Sequence, residues 1–79
     1  MADAAQKAIL DLLDRRGAGK TVCPSEAARM LAGPDGEWRA YMDTVHAATD
    51  TLLACREIRL SWKGVEIDQR RGAYRIARR

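Results

Sequence analysis

The hydrophobic period of this chain changes once, and the change fixes what it can fold into. Up to Leu53 apolar residues recur three and four positions apart. From Ile58 they recur every second position, with Ile58, Leu60 and Trp62 alternating with Arg59, Ser61 and Lys63. The first spacing lines one face of an α-helix and the second one face of a half-exposed strand. A chain that is helical first and extended afterwards builds an α+β fold, its helices laid against an antiparallel sheet.

Glycine and proline divide the helical part into three. Asp3 followed by Gln6 has the form of a capping box, and Ala5, Ile9, Leu12, Leu13 and Arg16 then share a helical stripe, which gives a helix over residues 4–16 stopped by Gly17. Thr21 and Val22 form a very short extended piece. "CPSEAARML" predicts a second helix over 24–32, with Pro24 at the first helical position and Cys23 as its cap; Glu26 reaches back to the Cys23 backbone N–H, and Ala27, Met30 and Leu31 face the core. "GPDG" at residues 33–36 forces a turn. A third helix over 36–54 follows, with Trp38, Tyr41, Met42, Val45, Ala48 and Leu52 on its inner stripe and Arg39, Asp43, His46 and Asp50 facing out.

The extended part predicts strands over 58–62 and 73–77, the second with Tyr74 and Ile76 on one face and Arg75 on the other. "KGVEIDQRRG" is read as the connection between them. A lone two-stranded hairpin is only marginally stable in water, so its inward face must pack on the helices, and Trp62 is expected in that core. Three helices, a tight turn between the second and third, and a C-terminal β-hairpin are the plan of a winged helix-turn-helix, here one domain over residues 1–79.

At 79 residues there is room for a single core, and no apolar run approaches the roughly 20 residues that cross a bilayer. The first residues carry two acids and no basic run before an apolar stretch, so the reading is a cytoplasmic protein with no membrane contact. Two cysteines, Cys23 and Cys55, make neither a disulfide scaffold nor a zinc module. The net charge of +3 is unevenly spread: residues 1–55 hold six Lys/Arg against eight acids, and residues 56–79 hold eight against three. That asymmetry suggests an anionic partner for the C-terminal part.

The blocks "TVCPSEAAR", "WRAYMDTVHAAT" and "IRLSWKGVEID…RRGAYRI" resemble, in order, those of a short, mainly bacterial family of winged-helix domains, domain of unknown function 3253. The resemblance runs from about Ile9 to Ile76. In that family a Cys-Pro-Ser-Glu element opens the second helix, a Trp-Arg pair opens the third, and a Lys-Gly turn with a Gly-x-x-Arg element forms the wing. It implies the winged-helix fold and no activity. This chain departs twice: His46 stands where the family has a second basic residue in the third helix, and Cys55 or Arg56 stands where it has a glycine after that helix. The first lowers the charge of the recognition helix; the second removes the residue best suited to a left-handed stop.

For nucleic acid, Arg39 is the one strong donor fork on the third helix, where Asp43, His46 and Asp50 read as a local ion-pair ladder. The wing offers Lys63, Arg70, Arg71 and Arg75 for phosphate, with Arg59, Arg78 and Arg79 nearby. Cys23 has two readings: a thiol favoured as thiolate by a helix N-terminus, hence reactive, or a small buried hydrophobe that only caps the helix. One histidine, no Gly-rich loop after a strand and no Ser-His-acid set beyond Ser25 and Ser61 give no catalytic, cofactor or metal site, so the chain does not read as an enzyme. The expected function is a weakly sequence-specific module for double-stranded DNA. Its competitor is a dimerisation or protein-interaction module that meets an acidic protein partner.

Overall fold

The Asp3 carboxylate starts the first helix by accepting the Gln6 N–H at 2.8 Å, and the chain then winds through α1, Ala4–Arg16. The computed structural model describes residues 3–79, so the first two residues of the expected domain lie outside the described part. Gly17 ends α1 at φ +99°, a conformation open to glycine, with its N–H on the Leu13 carbonyl. β1 (Thr21–Val22), α2 (Pro24–Ala32), a 3₁₀ turn (Trp38–Tyr41) and α3 (Met42–Ala54) follow. The Cys23 N–H donates to Glu26 Oε2 at 2.9 Å, which is the reach-back arm expected at the start of α2.

The remaining chain forms β2 (Ile58–Trp62), β3 (Val65–Ile67) and β4 (Arg75–Arg78). All pairings are antiparallel, in the order β1-β4-β2-β3, with Leu60 opposite both Ile76 and Ile67. The sheet is thus wider than a C-terminal hairpin. β1, from between the helices, closes one edge, and β3, inside the segment read as a connection, closes the other. Lys63 and Gly64 turn β2 into β3 at φ +52° and +81°, the two positive angles of a two-residue type I′ hairpin turn.

Helices α1 and α3 cover one face of this sheet, and α2 packs against both of them. Ile9 and Leu13 of α1, Ala27 and Ala28 of α2, Val45, Ala48 and Leu52 of α3, and Ile58, Leu60, Tyr74 and Ile76 of the sheet form one buried cluster with Val22. The opposite sheet face is the solvent side, where Arg75 Nε donates to Thr21 Oγ1 at 2.7 Å.

Three expected core residues lie elsewhere. Met30 is exposed, and Ala28 takes its place inside, which brings α2 close to its neighbours. Tyr41 is exposed because residues 38–41 wind as a 3₁₀ turn of about three residues per turn, out of phase with the stripe of α3. Trp62 keeps the parity of Ile58 and Leu60 but stands 43% exposed at the hairpin tip, where β2 overhangs the helices; its cross-strand partner Val65 is more exposed still.

The missing glycine after α3 is answered by Arg56, which adopts φ +61° itself. Its N–H bonds to the Leu53 carbonyl and that of Glu57 to the Leu52 carbonyl, both at 3.0 Å, which closes a Schellman motif. A side chain in that conformation costs about 1 kcal/mol or more. Arg56→Gly is therefore expected to raise Tm by roughly 4–8 °C in a thermal melt, and a lowered Tm would show that the Arg56 side chain contributes more than its backbone strain costs.

Candidate nucleic-acid interface

The turn at 33–36 sets where the third helix begins, and with it a surface. Gly33 leaves α2 at φ +81°, and the Gly36 N–H returns to the Gly33 carbonyl at 3.2 Å. Glu37 caps the 3₁₀ turn by accepting the Arg39 N–H. Trp38 lands beside α2, with the Arg29 guanidinium 4.7 Å and the Arg39 guanidinium 4.5 Å from its ring centre. Each is within cation–π range, so one indole holds two positive charges at the surface.

Next to Trp38 lies an open groove of about 400 Å³. The start of α2 (Cys23, Pro24, Ser25) forms one side, Trp38, Met42 and His46 another, and the approach to β4 (Gly72 to Arg75) a third; Trp62 stands at the hairpin end. Trp62 also walls a second depression with Val65, Glu66, Ile67, Asp68 and Arg71, two carboxylates and one guanidinium. The hairpin tip therefore places an indole between two hollows, with Lys63 and Arg71 beside it.

The five cations expected at nucleic acid, Arg39 in the DNA groove and Lys63, Arg70, Arg71 and Arg75 at phosphate, divide by what already holds them. Arg70 Nε and Nη2 donate to the two oxygens of Asp50 at 2.7 and 2.8 Å, a bidentate pair that fastens the loop before β4 to α3. Those hydrogen bonds from Arg70 hold the Asp50 carboxyl below the usual carboxylate range. Arg75 is engaged with Thr21 on the far side of the sheet although its chain also reaches the groove. Arg39, Lys63 and Arg71 are exposed; Arg39 has only Glu37 at 3.9 Å, and neither Lys63 nor Arg71 has an acid within 4.0 Å among the described residues. Arg29, not singled out in the sequence, joins them through Trp38, a contact between different elements that no local spacing announces.

The ladder expected on α3 does not form. Asp50 is taken by Arg70, and His46 turns inward, its Nδ1 lying 2.8 Å from the Tyr74 hydroxyl. The direction of that bond follows from the next two. Tyr74 donates to Thr49 Oγ1 at 3.3 Å and Thr49 donates to the Val45 carbonyl at 2.8 Å, so the only proton left for the first link is on Nδ1. The other ring nitrogen is then a lone-pair acceptor. Burial pushes the His46 imidazole below its ordinary value of 6.5, the Arg70 charge adds to this, and Asp43 and Asp50 oppose it, so His46 is neutral at pH 7. Burial likewise pushes the Tyr74 phenol up.

Cys23 is half-buried at the groove with its Sγ 3.1 Å from Ser25 Oγ, and Cys55 is exposed just after α3. Among the described residues no three His, Cys, Asp or Glu side chains converge on a point, and no helix is long and apolar enough to cross a membrane.

One family model, described as protein of unknown function (DUF3253), matches residues 2–79. No curated protein matches the chain.

Proposed function

The chain belongs to the DUF3253 family, and from the surface it presents we propose that it is a winged helix-turn-helix module that binds double-stranded DNA, mainly through the backbone and with weak sequence preference. The helix order with a turn between α2 and α3, followed by a sheet in which β4 lies between β1 and β2, supports the winged-helix reading. One observation carries the function: cations stand by the two indoles that line one groove, Arg29 and Arg39 on Trp38 and Arg71 in the depression that Trp62 shares.

The sign of α3 favours this reading more than the sequence does. Arg70 neutralises Asp50, so Asp43 is the one carboxylate left to face a phosphate from the outer stripe, against Arg39. The rest of the exposed face is Thr44, Ala47, Thr51 and Ala54, short side chains that let a backbone approach but carry few base-reading groups. Contacts with phosphate fix position and carry little sequence information.

Fluorescence anisotropy on a random-sequence duplex across a salt series tests this, with an Arg39→Ala/Lys63→Ala/Arg71→Ala variant beside the parent. Three lost phosphate contacts reduce the log-log salt slope by about 2.7 and weaken binding at every sequence alike. Absence of parent binding at about 50 mM salt overturns the reading. The exposed Trp62 and Val65 would then favour the second one, a surface for an acidic protein partner.

A further inference from the structure

Resting on the DNA-binding reading, we propose that Asp50 and Arg70 form a latch that sets the loop 68–73 and so keeps Arg71 free for phosphate. Asp50, an acid on α3, is then a positioning residue for DNA. The loop leaves β3 after Ile67 and returns to the sheet at β4. Among the described residues no backbone hydrogen bond outside the strands holds any residue from 68 to 73, and Arg70 alone of these is not exposed. Its bidentate pair with Asp50, at 2.7 and 2.8 Å, is the one side-chain hydrogen-bonded tie of the loop among the described residues. A segment with few buried contacts and no backbone ties takes its order from its anchor, and here the anchor is one guanidinium on one carboxylate.

What the latch protects is the next residue. Arg71 lines the depression that also holds Glu66 and Asp68, so it has two carboxylates for neighbours. Glu66 lies 3.7 Å from Arg79, and Asp68 has no cation within 4.0 Å among the described residues. Asp68 is only three positions back along the same loop, and a loop free to change shape can bring Arg71 onto it. A guanidinium paired with Asp68 is lost to phosphate. With Arg70 drawn inward onto α3, Arg71 is left exposed and clear of both acids. By charge alone Asp50 would oppose a phosphate backbone; held by Arg70 it is already neutralised, and its charge serves to order the loop.

The test joins limited trypsin digestion, read by mass spectrometry, to anisotropy on the random-sequence duplex across a salt series. In Asp50→Ala/Arg70→Ala, whose net charge equals that of the parent, cleavage after Arg71 is expected to run about 3- to 10-fold faster. In the parent, Arg71→Ala is expected to reduce the log-log salt slope by about 0.9, the loss of one phosphate contact. In the double-alanine background the same substitution is expected to reduce it by less than about half as much, because the two changes act through one contact. Thermal melts check that each variant is folded. Unchanged cleavage, no effect of Arg71→Ala in the parent, or an undiminished effect in the folded double-alanine background overturns the latch while leaving duplex binding intact. If the parent binds no duplex, the DNA-binding reading fails and the positioning role of Asp50 fails with it.

Discussion

Leu60→Ala is expected to lower the stability of the domain by about 2–5 kcal/mol, read as a drop in the urea midpoint at unchanged slope. Leu60 is fully buried in the strand that pairs on both sides, opposite Ile76 of β4 and Ile67 of β3, and helices cover its face. Truncation removes contacts to both neighbouring strands, and the covering helices cannot collapse into the space without abandoning their own packing. A chain of 79 residues has a total stability of roughly 4–12 kcal/mol, so the variant will be partly unfolded near body temperature if the parent lies at the low end. A loss below about 1 kcal/mol would mean that β2 is not the centre of the core.

The second large effect is expected at Gly36. Its φ is not in the positive range, so an alanine there meets no backbone strain of that kind, but the added Cβ would run into the carbonyl of Ala32 in the last turn of α2. Backbone cannot swing aside as a side-chain tip can, so the turn must open. The expected cost is about 3 kcal/mol, or a fall in Tm of more than 10 °C. Gly19→Ala is the control. There φ is +79° with nothing within 4 Å, and only the strain of about 1–2 kcal/mol applies. Equal melting temperatures for the two variants would show that the turn has room to relax. Because the same turn seats Trp38 against α2, Gly36→Ala should also disturb the Arg29 and Arg39 stack.

Helix limits were legible because glycine and proline act locally: Asp3, Gly17, Pro24 and Gly33 each sit where a cap or stop requires them. Periodicity was less informative about depth. It placed Trp62 on the correct side of β2, but whether a helix lies above that end of the strand depends on the lengths of other elements. β3 is only three residues with a glutamate in the middle, too short to show a period, although a Lys63–Gly64 pair between apolar residues was a usable hairpin signal. The third helix shows the same limit, since its first turn, 38–41, is wound more tightly than the rest.

The candidate site was legible in residue type and not in pairing. Counting cations on the wing gave Arg70 and Arg75 the same standing as Lys63 and Arg71. What separates them is Asp50 on α3 and Thr21 on β1, partners that only the fold brings near. Sequence places His46 in a surface ladder because Asp43 and Asp50 are its helical neighbours; its hydrogen bond is to Tyr74, on the run into β4. A helix face drawn from sequence contains no information about what leans against it.

The strand order has a kinetic meaning. β4 is the last element of the chain and lies between β1 and β2, with Thr21 opposite Ala77. Until β4 docks, β1 has no neighbour in the sheet, and the inner faces of β2 and the helices lack Ile76. Closing that contact brings together residues more than fifty positions apart, Thr21 and Ala77, and that loop-closure entropy must be met before the pairing is gained. Helices α1 to α3 can form early and locally, yet the native state waits for its final strand. A chain growing on a ribosome would complete this fold only after residue 78 had emerged.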